Sequence, residues 1–237
     1  SPDSKWFTLC FIGNKHDPYS DIGIVSAQGG TITNLTNSGY TSGSPVWTMD
    51  GNAILFTSER YGMRNHASWG SMEDVFLCFV NQDAYDKYRL SKEDYELLKE
   101  VEKEQEKLKK NADKKNTKKD NDKKDEKKDG EKDIVMELDG IQDRIVRLTP
   151  NSSNLGYAII DKKGENLYYT ASFEGGMDLW KLNLRKKDVK LANKGVGFAY
   201  FEMDKEGKNI FLLGSKMQKM DATSGKLTPI TYTATLE

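Results

Sequence analysis

The sequence predicts an all-β fold, a partial, open β-propeller of about four blades, interrupted by one charged insertion that is helical and then disordered. A recurring hairpin carries this expectation: an apolar run, a tight polar turn, and a second apolar run ending in Thr or Ser. Its fullest copy is Ser44–Ser58, where Met49-Asp50-Gly51-Asn52 separates Pro45-Val46-Trp47-Thr48 from Ala53-Ile54-Leu55-Phe56-Thr57. A truncated copy opens the chain at Ser1–Thr8, and looser ones span Tyr157–Thr170 and Tyr200–Leu213. Asp and Gly accept the positive φ that such turns demand, while the flanking β-branched and aromatic residues suit a pleated, buried surface. A third apolar run appears as Asp21–Val25, Asp74–Phe79 and Asp178–Leu182, and a more polar fourth as Thr31–Thr36, Arg144–Thr149 and Lys226–Thr231. Four strands then make one unit. The turn aspartates Asp3 and Asp50 lie 47 residues apart, and Asp161 and Asp204 lie 43 apart, close to the roughly 40–45 residues of a propeller blade.

In order, strands are expected at Lys5–Ile12, Asp21–Ser26, Thr31–Thr36, Ser44–Thr48, Ala53–Ser58, Asp74–Val80, Arg144–Thr149, Gly156–Ile160, Asn166–Ala171, Met177–Leu182, Gly197–Glu202 and Asn209–Leu213. The first blade lacks its innermost strand. From Asp50 to Asp161 the interval is 111 residues, and setting aside Asp83–Asp133 removes 51 of them, so one blade carries an excursion. Residues 1–82 and 134–237 are therefore assigned to blades and 83–133 to the insertion. Between Tyr85 and Leu108 the apolar period lengthens from two to about 3.6, with Ser91 placed as an N-cap and Asp94 three residues on, which predicts a helix. Lys99–Asp133 holds 14 lysines and 12 acidic residues. From Lys110 to Lys132 apolar residues nearly vanish, leaving too little to bury against the ordering entropy, so this stretch is expected to be a solvated, disordered or frayed segment.

Composition removes several function classes. The whole chain has 36 Lys plus Arg against 37 Asp plus Glu, too even a balance for strong attraction to nucleic acid or an anionic membrane. The lysine-rich insertion is offset by its own acids and carries no aromatic on which bases could stack. No apolar stretch approaches the 18 or so residues that span a bilayer. Cys10 and Cys78 sit in apolar, aromatic runs and are expected to pack as small hydrophobes. His16 and His66 are the two histidines; neither stands near a Gly-x-Ser-x-Gly elbow, so no catalytic triad is assigned. Their spacing from the cysteines does not fit a zinc site, and Asp120-Asn121-Asp122 lacks the Gly and terminal Glu of a calcium loop. Gly29-Gly30 and Gly175-Gly176 lack the Lys and following helix of a phosphate loop. No cofactor and no metal is expected.

One loop has an unusual composition, Glu59-Arg60-Tyr61-Gly62-Met63-Arg64-Asn65-His66-Ala67-Ser68-Trp69-Gly70. Cations, amides and aromatics together suit a peptide channel, in which Arg60 or Arg64 meets a carboxylate through its planar fork. Arg60, Tyr61, Arg64 and His66 are the candidate peptide-channel residues. The plainer alternative is an inter-strand loop whose Tyr61 and Trp69 pack on the rim. Trp6, Trp47 and Trp180 fall inside strands and are read as core.

Ser1-Pro2-Asp3-Ser4-Lys5-Trp6-Phe7-Thr8 and Pro45–Ser58 resemble the Ser-Pro-Asp-Gly-Lys repeat of TolB-like propellers. With Asp139–Leu148, the ending Leu227–Ala234 and the charged insertion after Val80, the chain is similar to the propeller portion of tricorn-type serine peptidases. The resemblance implies a non-catalytic fragment that scaffolds and filters oligopeptide access to a catalytic domain lying C-terminal to it. It implies as partners the remaining blades and catalytic domains of a parent chain, an oligopeptide substrate and a homo-oligomeric parent, with no nucleic acid and no membrane. None of the family's catalytic residues can be placed here. Cytoplasmic location is expected, with export the alternative. Two other readings stay open: a TolB-like protein-interaction module, and the propeller of a prolyl-oligopeptidase-type enzyme.

Overall fold

Alternating apolar runs long enough to be buried on both faces require partners above and below, and the chain supplies them by stacking sheets. The computed structural model describes residues 1–13, 18–64, 70–116, 133–173 and 175–233. Each sheet is an antiparallel meander in chain order. Sheet one holds β1 (Trp6–Phe11), β2 (Asp21–Ser26) and β3 (Thr33–Asn34); sheet two holds β4 (Ser42–Thr48), β5 (Ala53–Ser58), β6 (Asp74–Phe79) and β7 (Ile145–Arg147). Sheet three holds β8 (Asn154–Ile160), β9 (Asn166–Ser172), β10 (Asp178–Asn183) and β11 (Asp188–Asn193). Sheet four holds β12 (Ala199–Met203), β13 (Asn209–Gly214), β14 (Gln218–Asp221) and β15 (Leu227–Pro229).

The pleat sends successive side chains to opposite faces. In β5, Ile54 and Phe56 join Ile22, Ile24 and Leu35 between sheets one and two, while Ala53 and Leu55 join Leu167, Tyr169 and Leu182 between sheets two and three. Tyr168, Leu179, Phe201, Ile210 and Leu212 form the third cluster, between sheets three and four. Among the described residues no apolar cluster joins sheets one and four. Both outer surfaces stay open, with Phe7 61% and Tyr200 72% exposed. This is the open arc of blades that the repeats predict.

The turns fix the true repeat register, and it differs from the aspartate spacing. Gly164 N donates to Asp161 O and Gly207 N to Asp204 O, both at 2.9 Å; Ser4 N donates to Ser1 O at 3.1 Å. Asp161 and Asp204 therefore hold the first turn position, where sheet one places Ser1, whereas Asp3 and Asp50 hold the third. The spacing matched two different positions of the same turn. The Asp161 carboxylate bonds Glu165 N and Asn166 Nδ2 at 2.8 and 2.6 Å, and Asp204 bonds Lys208 N and Asn209 Nδ2 at 2.7 and 2.6 Å. Ser1 Oγ performs this task by accepting from Trp6 N at 2.9 Å.

Two strands were not expected, β11 and β14. Asp188-Val-Lys-Leu-Ala-Asn and Gln218-Lys-Met-Asp are short and polar because one is a sheet edge and the other buries Met220 alone. The insertion also departs from expectation. Instead of one helix over Tyr85–Leu108 there are two, α1 (Gln82–Arg89) and α2 (Lys92–Asn116), broken where Leu90 turns to φ −53°, ψ 145°. Asn81 caps α1 by accepting from Ala84 N at 2.8 Å, and Ser91 caps α2 by accepting from Asp94 N at 3.1 Å. Helix α2 continues past Lys110, and residues 117–132, where disorder was expected, lie outside the described residues.

The helical pair is held against the blades. Arg185, just beyond β10, donates through Nη1 to Tyr88 O and Leu90 O at 2.5 and 2.7 Å and through Nη2 to Lys87 O at 3.2 Å. Its guanidinium lies 4.1 Å from the Tyr95 ring centroid. A planar fork thus closes the C-terminal carbonyls of α1 while stacking on α2. Lys99 pairs with Glu165 in the β8–β9 turn. The return leg wedges between sheets one and two, where Ile134, Met136 and Leu138 pack against the cluster there. Ile134 N bonds Asp3 Oδ2 at 3.0 Å, and buried Arg144 bonds Phe79 O, Asp139 O and Glu137 O.

Candidate functional site

The β5–β6 connection carries the residues singled out from sequence, and its own backbone shapes it. Gly62 N bonds Glu59 O at 3.1 Å, Met72 N bonds Met63 O at 3.0 Å, and Arg64 bridges Ser71. The legs approach so closely at Gly62 that a Cβ there would stand 1.6 Å from Met72 O, so only glycine fits. Asn65–Trp69, with His66 and Ser68, lies outside the described residues, as does His16.

The two arginines do different work. Arg64 is engaged: its guanidinium lies 4.5 Å from the Tyr40 centroid and 5.7 Å from that of Tyr19, with Nη2 3.6 Å from Glu59. Burial pushes the Glu59 carboxyl upward, yet hydrogen bonds from Ser71 and Thr41 and the Arg64 charge outweigh it and hold the group below its ordinary value. Burial, with the neighbouring Glu59 charge, instead raises Glu73. Arg60 is exposed; it lies 5.6 Å from the Tyr61 centroid and has no acidic partner among the described residues. Tyr61 is backed by Phe76 at 6.0 Å and faces a second guanidinium, Arg147, at 5.2 Å. Arg147 is committed to buried Asp74 at 2.9 Å. Arg60 is thus the cation of this loop that remains available to a carboxylate.

A second concave surface runs along the inner strands β4, β8 and β12. This groove of about 340 Å³ is lined by Trp47, Tyr157, Phe201 and Lys205 among others. Tyr157 meets Tyr200 and Phe201 edge-on at 5.6 and 5.7 Å. Trp47 falls within a strand as expected and packs on the core, but its indole N–H is buried without a partner. Sequence reasoning missed a cavity of about 1160 Å³ between the helical pair and the turns of sheets two and three. Its signal was present in Tyr88 and Tyr95, one on each helix, which both line it.

Cys78 is buried, and burial pushes its thiol up to about 12. Cys10, expected in the core, is exposed. Among the described residues no cluster of three metal-ligating side chains occurs, and no helix is long and apolar enough to cross a membrane.

Solved structures similar to this chain include TolB-like propellers. The chain is similar to TolB from Acinetobacter baumannii, at 13% identity and TM-score 0.52 over 98% of this chain and 43% of that one. It has a TolB/tricorn-type propeller fold. Tricorn protease matches at 8% identity and TM-score 0.57, over 97% of this chain and 21% of that protein. A Mycobacterium tuberculosis puromycin-hydrolyzing peptidase matches at 9% identity and TM-score 0.52, over 95% and 26%. The chain thus spans less than half the length of these three structures. No protein-family model matches the sequence, and no curated protein matches it.

Proposed function

We propose that this chain is the non-catalytic propeller section of a tricorn-like serine peptidase, scaffolding and filtering oligopeptide access to a catalytic domain carried elsewhere in that enzyme. Its partners on this reading are further blades, the catalytic domains of the parent, other copies of the parent, and the oligopeptide itself. The parent would be cytoplasmic. The observation that carries the reading is Arg60. Its exposed guanidinium rests on Tyr61 with no acidic partner among the described residues, ready for the terminal carboxylate of a peptide. The aromatic groove along the inner strands adds a surface for side chains of an extended chain.

Fluorescence anisotropy with a labelled pentapeptide tests this. A free C-terminal carboxylate is expected to bind about tenfold tighter than the amide, a difference of about 1.4 kcal/mol, and Arg60→Gln removes that preference. The peptide stays intact. Equal affinity for acid and amide, or cleavage by the isolated chain, would overturn the proposal. The exposed Phe7, Phe198 and Tyr200 favour a second reading, a TolB-like protein-interaction module. Binding of folded protein but not of short peptides distinguishes it.

A further inference from the structure

Helix α2 has two opposite faces, and the rest of the chain occupies one of them. Tyr95 stacks on the Arg185 guanidinium at 4.1 Å, Lys99 pairs with Glu165, and Glu102 accepts from Lys87 of α1 at 2.7 Å. On the helical wheel Leu97, Val101, Glu104 and Leu108 stand roughly 180–240° round the axis from Tyr95. They point away from the blades. Leu97, Val101 and Leu108 are 60%, 49% and 69% exposed, although the positions between Leu98 and Leu108 are otherwise charged or amide apart from Val101. Docking on the blades leaves this apolar stripe unexplained.

Its spacing is that of a coiled-coil seam. The steps from Leu97 to Val101, Glu104 and Leu108 are four, three and four residues, which sets them at successive d, a, d and a positions of a heptad and gives Glu100 and Lys107 the flanking g position. Among the described residues α2 pairs Glu102 with Lys87, Lys92 with Glu96 and Lys99 with Glu165, and engages neither Glu100 nor Lys107. Charge then selects the partner and its direction. Parallel helices would set Glu104 against Glu104 across the seam and Glu100 beside neutral Gln105. Antiparallel helices that seat Leu97 on Leu108 place Val101 beside Glu104, stagger the two Glu104 carboxylates, and bring Glu100 of each copy opposite Lys107 of the other. The face is complementary to itself.

We propose that the outer stripe of α2 is a self-association surface that joins two copies of this chain as an antiparallel helix pair. With 36 basic against 37 acidic residues, two copies carry too little net charge to repel each other. The blades stand on the far side of each helix and do not obstruct the pair. Three apolar side chains from each copy make a short seam, so a weak dimer is expected, with a dissociation constant on the order of 100 μM. This does not depend on whether the chain serves a peptidase.

Sedimentation equilibrium of the whole chain tests this. A reversible monomer–dimer equilibrium is expected. Val101→Glu abolishes it, and Glu104→Leu, which completes the seam, tightens it at least ~tenfold. Glu100→Lys and Lys107→Glu each set like charges opposite one another and weaken self-association about tenfold. An equimolar mixture of those two variants restores it, because each then meets the opposite charge on the other. All four positions are exposed, so the melting temperature of the dilute chains stays unchanged. A chain that remains monomeric at ~1 mM, a dimer that survives Val101→Glu, or a mixture that associates no better than its components would each overturn the proposal.

Discussion

Thr149 Oγ1 donates to the carboxylate of Asp74 at 2.7 Å across 75 positions of sequence, and Thr36 Oγ1 does the same to Asp21 at 2.7 Å across 15. Each hydroxyl also accepts from the residue after its aspartate, Val75 N at 3.1 Å and Ile22 N at 3.0 Å. The pair clasps the start of the third strand to the end of the fourth. Asp74 is fully buried, so Thr149→Val withdraws one donor from it and orphans the Val75 amide. A loss of about 1–3 kcal/mol is expected, read as a lower urea midpoint. An unchanged midpoint would show that the clasp contributes nothing.

Sheet four lacks this clasp, and the register says why. Leu35 N bonds Ile22 O, Leu148 N bonds Val75 O and Ile230 N bonds Met217 O, which places Lys216 where Asp21 and Asp74 stand and Thr231 where the threonines stand. Lys216→Asp should rebuild the contact and stabilise the chain by about 0.5–1.5 kcal/mol. The gain is expected to disappear when Thr231→Val is added, and thermal unfolding of the four chains of that cycle measures it.

Glu73 gives a dependence on pH of opposite sign to an ordinary paired carboxylate. Burial and the Glu59 charge raise its folded value, so the native state binds this proton more tightly than the unfolded chain does. Stability from this group is gained as pH falls through the raised value and lost as pH rises. Glu73→Gln is therefore expected to raise the melting temperature at pH 7 and to leave it nearly unchanged near pH 4. A uniform shift at both would exclude titration as its cause.

Arg185 holds α1 and α2 through three carbonyls and the Tyr95 ring. Arg185→Met keeps the aliphatic stem and removes the fork. Trypsin is then expected to cut within residues 82–116 at least ~tenfold faster, with little change in the cooperative unfolding of the sheets. Equal cutting rates would mean that the helical pair is held by other contacts.

The blades were legible because β5, β6 and β9 are buried on both faces and so read as unbroken apolar runs between turns. Strands β11 and β14 were hidden because an edge position and a single buried methionine leave almost no pattern. Asp50 misled the register for a physical reason: the first and third turn positions both favour aspartate, one for its side-chain bonds and one for its tolerance of φ at 54°. At the loop end, sequence named Arg60, Tyr61 and Arg64 together. It could not foresee that Tyr19 and Tyr40 would flank Arg64, because those rings come from separate connections. The docking of the helical pair was invisible for the same reason, since Arg185 lies 97 positions from Tyr88.

The wedge formed by Ile134, Met136 and Leu138 has a consequence for biosynthesis. Synthesis runs at about 5–20 residues per second, and earlier parts begin to fold while later ones are still being made. Sheet one and most of sheet two emerge long before the residues that seal the layer between them. Until that plug arrives, Ile22, Ile24 and Phe56 border an unfilled seam, and a nascent chain stalled within the lysine-rich stretch would present it to chaperones.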